Sequence, residues 1–212
     1  MGNRATGSSA SEEAFWRTLR PHDPVSLCRS TLAAFDRQKG VYTLRVVDLN
    51  YTIDPKTQSI VAAIATDLNP GTVSWDVRLL VLAYMTGAKE APLVGKWVSP
   101  IGFSGGDLFF SSDAHNLSFA ELMPALKSPE DFLRAGLKIG GKKDTIGDAS
   151  FVLQTLPRIP ILFIYWAGDE EIASKISVLV DESAVSQLAI DALWLAIKVA
   201  EKRLLVAVNS ER

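Results

Sequence analysis

A chain of 212 residues, 48% hydrophobic and 22% charged, is long enough for one full core and has the balance of an ordinary globular protein. Its 22 Lys and Arg stand against 24 Asp and Glu, and a net charge of -2 sets up no field to draw nucleic acid or an acidic membrane. The single cysteine, Cys28, excludes a disulfide framework and a cysteine-held zinc or iron–sulfur site within the chain, which fits a reducing compartment.

Residues 1–10, rich in Gly, Ser and Ala, read as a disordered leader or an expression remnant, and a single domain is expected over residues 11–212. They lack the apolar core of an export signal, no later apolar run has the length of a membrane span, and a cytoplasmic location is expected. A first helix begins at Ser11-Glu12-Glu13 and stops at Pro21. A second is predicted over residues 24–38, with Asp23 as N-cap, Pro24 in its first turn and Gly40 beyond its end.

β-rich runs follow at residues 41–49, 51–54 and 59–66, the last two joined by an Asp54-Pro55-Lys56-Thr57 turn, which together predict an antiparallel meander. Residues 74–86 carry Val77, Leu80, Val81 and Tyr84 at helical spacing. A strand over 95–100 and a glycine-containing loop from Gly102 to Asp107 come next. Helices are predicted at 118–126 and 128–137, the second opened by Ser128 and Pro129, before a glycine-rich break at 140–147.

Apolar runs at 150–156 and 161–166 read as buried strands separated by a bend at Pro157-Arg158-Ile159-Pro160, with a further strand at 176–180. Residues 183–205 form the longest helix, with Leu188, Ala192, Leu195 and Val199 as one apolar stripe. Strands cluster rather than alternate with helices, so the predicted class is α+β, a largely antiparallel sheet packed with helices.

No phosphate loop, nucleophile elbow, His-Glu-x-x-His helix or dinucleotide fingerprint occurs, and two histidines are too few for a multi-histidine zinc site. His115 follows the pair Phe109-Phe110 in a loop, where it is either an axial metal ligand or acid/base group, or simply a surface histidine. Asp169-Glu170-Glu171 and Asp181-Glu182 sit at two strand ends, where carboxylates offer oxygens to a hard cation; a solvated turn is the plainer use of them. Gly105-Gly106 offers backbone amides to an anion or, more simply, makes a tight turn. Trp97 and Trp166, beside glycine loops, are the tryptophans placed to line a pocket.

The run Leu156-Pro157-Arg158-Ile159-Pro160, with Trp166-Ala167-Gly168-Asp169-Glu170-Glu171 and Val180-Asp181-Glu182-Ser183-Ala184, resembles an uncharacterised domain family of anaerobic bacteria and archaea. Leu79-Leu80-Val81, Gly95-Lys96-Trp97 and Phe103-Ser104-Gly105-Gly106-Asp107, with His115 after them, belong to the same resemblance, which spans residues 27–205. Some members look like fusions to an iron–sulfur module similar to that of corrinoid iron–sulfur proteins. The resemblance therefore implies corrinoid or other tetrapyrrole chemistry, with a separate iron–sulfur redox partner for this chain. Ile172-Ala173-Ser174 stands where the family pattern continues with an aromatic residue and proline, so a site shaped there differs.

These readings lead to a non-catalytic binding domain for a small-molecule or cofactor ligand, best matched by corrinoid or haem. His115 is the candidate axial ligand, Phe109, Phe110, Trp97 and Trp166 are the candidate walls, and Gly105 and Gly106 lie beside them. The alternative is a metal-dependent hydrolase or acid/base enzyme assembled from Asp107, Asp113, His115 and Asp169 to Glu171, with Asp169 and Glu170 on the metal. An assembly protein is a third possibility.

Overall fold

The computed structural model of the chain describes residues 10–63 and 73–210. Of the expected leader, residues 1–9 lie outside the described residues, and Ala10 already opens helix α1 (Ala10–Leu19), which turns Trp16 and Leu19 into the core. Helix α2 (Pro24–Thr31) starts as expected, the Asp23 carboxylate accepting from the Ser26 amide at 2.8 Å. It ends seven residues early, at Thr31 and not at Gln38. The Thr31 hydroxyl donates back to the Leu27 carbonyl at 2.7 Å and accepts from the Ala33 amide, and Leu32 takes the left-handed φ of 58°. Phe35 is thereby released into strand β1 (Ala34–Asp36), where its ring packs on Tyr42.

Strands β1, β2 (Val41–Val46), β3 (Leu49–Asp54) and β4 (Ser59–Ala62) form the expected antiparallel meander. Period-two alternation sends Tyr42, Leu44, Val46, Tyr51, Ile53 and Ile60 inward. Gly40, with φ 71°, turns the first hairpin instead of ending a helix. A turn at Val47-Asp48, with Val47 at φ 54°, divides what reads in sequence as one strand; residues 64–66 lie outside the described residues.

Helix α3 (Trp75–Gly87) buries Val77, Leu80, Val81 and Tyr84, and Arg78 on it grips buried Glu12 of α1 with two hydrogen bonds of 3.0 Å. The strand expected at 95–100 shrinks to β5 (Trp97–Val98), and helix α4 (Gly106–Phe110) arises in the expected loop. Residues 118–126 hold only a 3-10 turn at Met123–Ala125. The Asn116 side chain accepts from the Ser118 amide, Phe119 is left-handed, and Pro124 supplies no amide, so no α-helix propagates. Helix α5 (Pro129–Lys138) keeps its Ser128 cap, and β6 (Lys142–Asp144) forms inside the expected glycine break.

Strands β7 (Ala149–Leu156), β8 (Ile159–Trp166) and β9 (Lys175–Asp181) follow as successive neighbours. Ile159 and Pro160 belong to β8 and not to a bend; a register shift between Gln154 and Leu156 accommodates the proline, which has no amide to give. The expected C-terminal helix is broken into α6 (Ala184–Gln187) and α7 (Ile190–Asn209). The break falls where the Gln187 side chain accepts from the Lys89 amide at 2.8 Å and Leu188 turns extended. The predicted stripe of Leu188, Ala192, Leu195 and Val199 is buried throughout.

The second sheet has the order β5-β9-β8-β7-β6, every pair antiparallel, so the fold is α+β with two antiparallel sheets and a long C-terminal helix. Phe151, Leu153, Ile161, Phe163, Val178 and Val180 face inward, with α5 and α7 packed along β7 and α3 along α7. By alternation Trp97, Lys142, Val152, Gln154, Pro160, Leu162, Trp166, Leu179 and Asp181 share the opposite, outer face. No described helix is long and apolar enough to cross a membrane.

Four contacts lock the layers. The Val47 amide donates to the Thr155 carbonyl at 2.8 Å, joining the meander to β7, and Arg203 of α7 pairs with Asp48 through bonds of 2.8 and 2.6 Å. At the β7–β8 turn, Arg158 donates to the carbonyls of Ser30 at 2.6 Å, Ala91 at 2.8 Å and Arg29 at 2.9 Å. At the C-terminal end of β9, on the same side of the sheet as that turn, the Asp181 carboxylate accepts from the amides of Val94 and Gly95 at 2.9 and 2.6 Å and from the amide and hydroxyl of Ser183. Burial pushes this carboxyl up, but the bonds from Ser183, Val94 and Gly95 outweigh it and hold it below the ordinary aspartate value.

Arg158→Met removes three charge-assisted bonds to carbonyls and is expected to cost about 2–4 kcal/mol in urea unfolding. Because Asp181 titrates lower in the folded chain than in the unfolded one, its contribution is complete above the unfolded value, about 3.9, and is lost as pH falls through the lower folded value. Asp181→Asn should therefore lower stability at neutral pH and flatten the loss of stability below about pH 4, as read by thermal unfolding across pH.

Candidate functional site

His115 lies in the loop after α4, half-buried, with its ring stacked on Phe109 at 4.2 Å between centroids and its edge toward Trp194 of α7 at 5.1 Å. Its Nδ1 lies 3.0 Å from the Ser112 hydroxyl, which itself donates to the Phe109 carbonyl. Phe110 meets Phe109 edge-on at 5.3 Å and is buried. Local chain thus brings His115, Phe109 and Phe110 together as expected, and adds Trp194, whose indole nitrogen is buried without a hydrogen-bond partner among the described residues.

Gly105 is left-handed at φ 78°, and a Cβ on Gly106 would stand 2.5 Å from the Pro100 carbonyl oxygen. The pair makes a tight turn and a close backbone approach, as in the plainer reading of the two glycines.

Trp97 and Trp166 are elsewhere. They share the outer face of the second sheet, opposite Asp181 and Lys175, which are six residues apart on β9; at strand rise this separates the tryptophans by about 20 Å. His115 belongs to the other side: Phe119, four residues after it, packs against Phe163 on the inner face. The sheet therefore stands between the histidine and both tryptophans, and the four expected walls do not close one slot. Trp166 is 37% exposed and donates its indole N–H to the Ser177 hydroxyl at 3.2 Å.

Asp169, Glu170 and Glu171 are exposed in the loop between β8 and β9. One Asp169 oxygen accepts from the amides of Glu171 and Ile172 at 2.9 and 2.8 Å, and these bonds hold its carboxyl below the usual range. Asp181, at the opposite end of β9, is occupied by four donors. The two acidic groups therefore do not meet around a cation. Asp107 and Asp113 are exposed on either side of Phe109 and Phe110. Among the described residues no group of three or more His, Cys, Asp or Glu is placed to hold a metal ion.

The outer face of the second sheet carries a cleft of ≈ 430 Å³. Every strand of that sheet reaches it: Trp97 from β5, Asp181 from β9, Pro160 from β8, Val152 and Gln154 from β7, and Lys142 from β6. Asp181 shapes it by fixing the Val94-Gly95 segment, two residues before Trp97. Among the described residues Lys142 has no ion-pair partner, and Gln154 spends its amide N–H groups on the carbonyls of Leu156 and Pro157, leaving its oxygen without a donor there. Val152 and Pro160 supply an apolar floor. Sequence reasoning named Trp97 but missed Lys142, Val152 and Gln154. The available signal was alternation: residues 152, 154, 160 and 162 share a parity opposite to that of Phe151, Leu153, Ile161 and Phe163.

A second cleft, of ≈ 640 Å³, lies between α2 and β1 and is lined by Asp23, Val25, Cys28, Arg29, Phe35 and Arg37 among others. A third, of ≈ 490 Å³, is an apolar groove between α1, α3 and α7 beside Trp75.

A family model described as a domain of unknown function, DUF3786, matches residues 23–202. Comparison with curated proteins finds no match, and comparison with solved structures finds none. The match agrees with the expected uncharacterised domain family; it does not bear on the expected fusions to an iron–sulfur module. With residues 23–202 of its 212 matched, the chain belongs to the DUF3786 family, a domain of unknown function.

Proposed function

We propose that this chain is a ligand-binding domain that takes a small organic molecule with a flat or apolar body and an anionic group in the outer-face cleft of its second sheet, and does no chemistry on it. The observation that carries this reading is the cleft itself, ≈ 430 Å³ with contributions from all five strands, Trp97 on the β5 edge and, on the β6 edge, Lys142, unpaired among the described residues. A floor of Val152 and Pro160 favours an apolar body, Trp97 gives a flat surface for stacking, and Lys142 fixes the sense of the ligand by charge. Because the floor is sheet, its side chains hold their spacing without a ligand, which limits the ordering cost of binding.

A haem or corrinoid remains the ligand implied by family resemblance. Its axial-ligand form does not fit, since His115 lies across the sheet from Trp97 and Trp166 and one of its nitrogens already faces Ser112. The hydrolase alternative finds no support in the placement of Asp107, Asp113 and Asp169 to Glu171.

Calorimetric titration with 2-naphthoate, haemin and hydroxocobalamin tests the reading. Saturable binding at one equivalent is expected to weaken about tenfold in Trp97→Ala and in Lys142→Gln and to be unchanged in His115→Ala. Binding that survives Trp97→Ala but is lost with His115→Ala would move the site to the α4 loop.

A further inference from the structure

The cleft between α2 and β1 is separate from the sheet-face cleft and has a different chemistry. Two guanidinium groups reach it from two elements, Arg29 from the last turn of α2 and Arg37 from the β1–β2 turn. Neither has an ion-pair partner among the described residues. The carboxylates nearest in the chain accept from backbone amides, although Asp23 also lines the cleft. Asp23 caps α2 through the Ser26 amide, while Asp36 accepts from the amides of Gln38 and Lys39 and faces the Lys39 ammonium at 3.9 Å. The Arg29 carbonyl is held by Arg158, which fixes the backbone that carries the first guanidinium.

Apart from Asp23 and Cys28, the rest of the lining is apolar. Ala33 is buried at its base, Pro24 and Val25 form one side, and Phe35, steadied by its contact with Tyr42 at 4.6 Å between centroids, forms another. A volume of ≈ 640 Å³ falls within the range of small-molecule sites. Paired guanidinium forks match the planar oxygens of carboxylate and phosphate, and an aromatic floor beside them selects anions that carry an apolar body.

We infer that this cleft is a second binding site, for an organic oxyanion whose phosphate or carboxylate is held by Arg29 and Arg37 and whose apolar body rests on Phe35. Cys28, the only cysteine of the chain, lines the same cleft and reports on it. Burial and the neighbouring Asp23 carboxylate raise its thiol, so that its alkylation is slow at neutral pH and is best followed at about pH 8.5.

The test is the rate of Cys28 alkylation by N-ethylmaleimide with increasing phenyl phosphate or benzoate. Saturable protection by at least one of them is expected, weaker at high salt, and the ranking of the two identifies the preferred oxyanion. In the Arg29→Gln, Arg37→Gln double variant the concentration giving half-protection should rise about tenfold or more. Both side chains are exposed, and a circular dichroism spectrum and melting curve matching the parent establish that the variant folds. Alkylation unaffected by either compound, or protection of the double variant at the parent's concentrations, would overturn the assignment.

Discussion

One guanidinium, that of Arg158, ties together three parts of the chain that lie far apart in sequence. It sits at the two-residue connection between β7 and β8 and takes the open carbonyls at the C-terminal end of α2 and one from the segment after α3. Helix ends leave carbonyls without amide partners, and in a partly buried place these must be satisfied from outside. Here the hairpin supplies the donors, so the position of α2 depends on the sheet. Tyr84 of α3 completes the arrangement, its hydroxyl donating to the Thr31 carbonyl at 3.0 Å. The early end of α2, the start of β1 and the cleft between them all rest on this junction.

The two clefts follow from the same economy. Where a strand end or helix end must be anchored, a charged side chain turns inward to backbone, as Arg158 and Asp181 both do at the same end of the second sheet. Those charges are spent. The charges left over, Lys142 on the sheet face and Arg29 and Arg37 beside α2, border the apolar hollows that the anchoring creates. A chain of near-neutral charge thus presents local cationic chemistry that its net charge of -2 conceals.

Much of the architecture was legible in the residues. Alternation in residues 41–62 announced the meander, the Ser128-Pro129 start announced α5, and the apolar runs announced β7, β8 and β9. The errors have local physical causes: a threonine bonding back to its own helix ended α2, a left-handed Val47 split one strand, and Gln187, drawn to the end of α3, broke the last helix. The candidate site was less legible. Closeness in sequence correctly joined His115 to Phe109, but nothing along the chain said that Trp97 and Trp166 lie across a sheet from them. Partners such as Lys142 and Val152 become visible only once strand parity is combined with strand order, and order is a property of the fold.

The second sheet has an uneven history. Strands β6 to β9 are neighbours in sequence, whereas β5 pairs Trp97 with Asp181, from far downstream, through a ladder of only two residue pairs. So short a ladder leaves the edge to be held by its flanks: the Glu182 amide donates to the Lys96 carbonyl at 2.9 Å, and the Lys96 ammonium pairs with Glu182 at 2.8 Å. The indole wall of the outer-face cleft therefore stands on a strand placed less by sheet pairing than by one carboxylate, since Asp181 grips the Val94 and Gly95 amides just before Trp97.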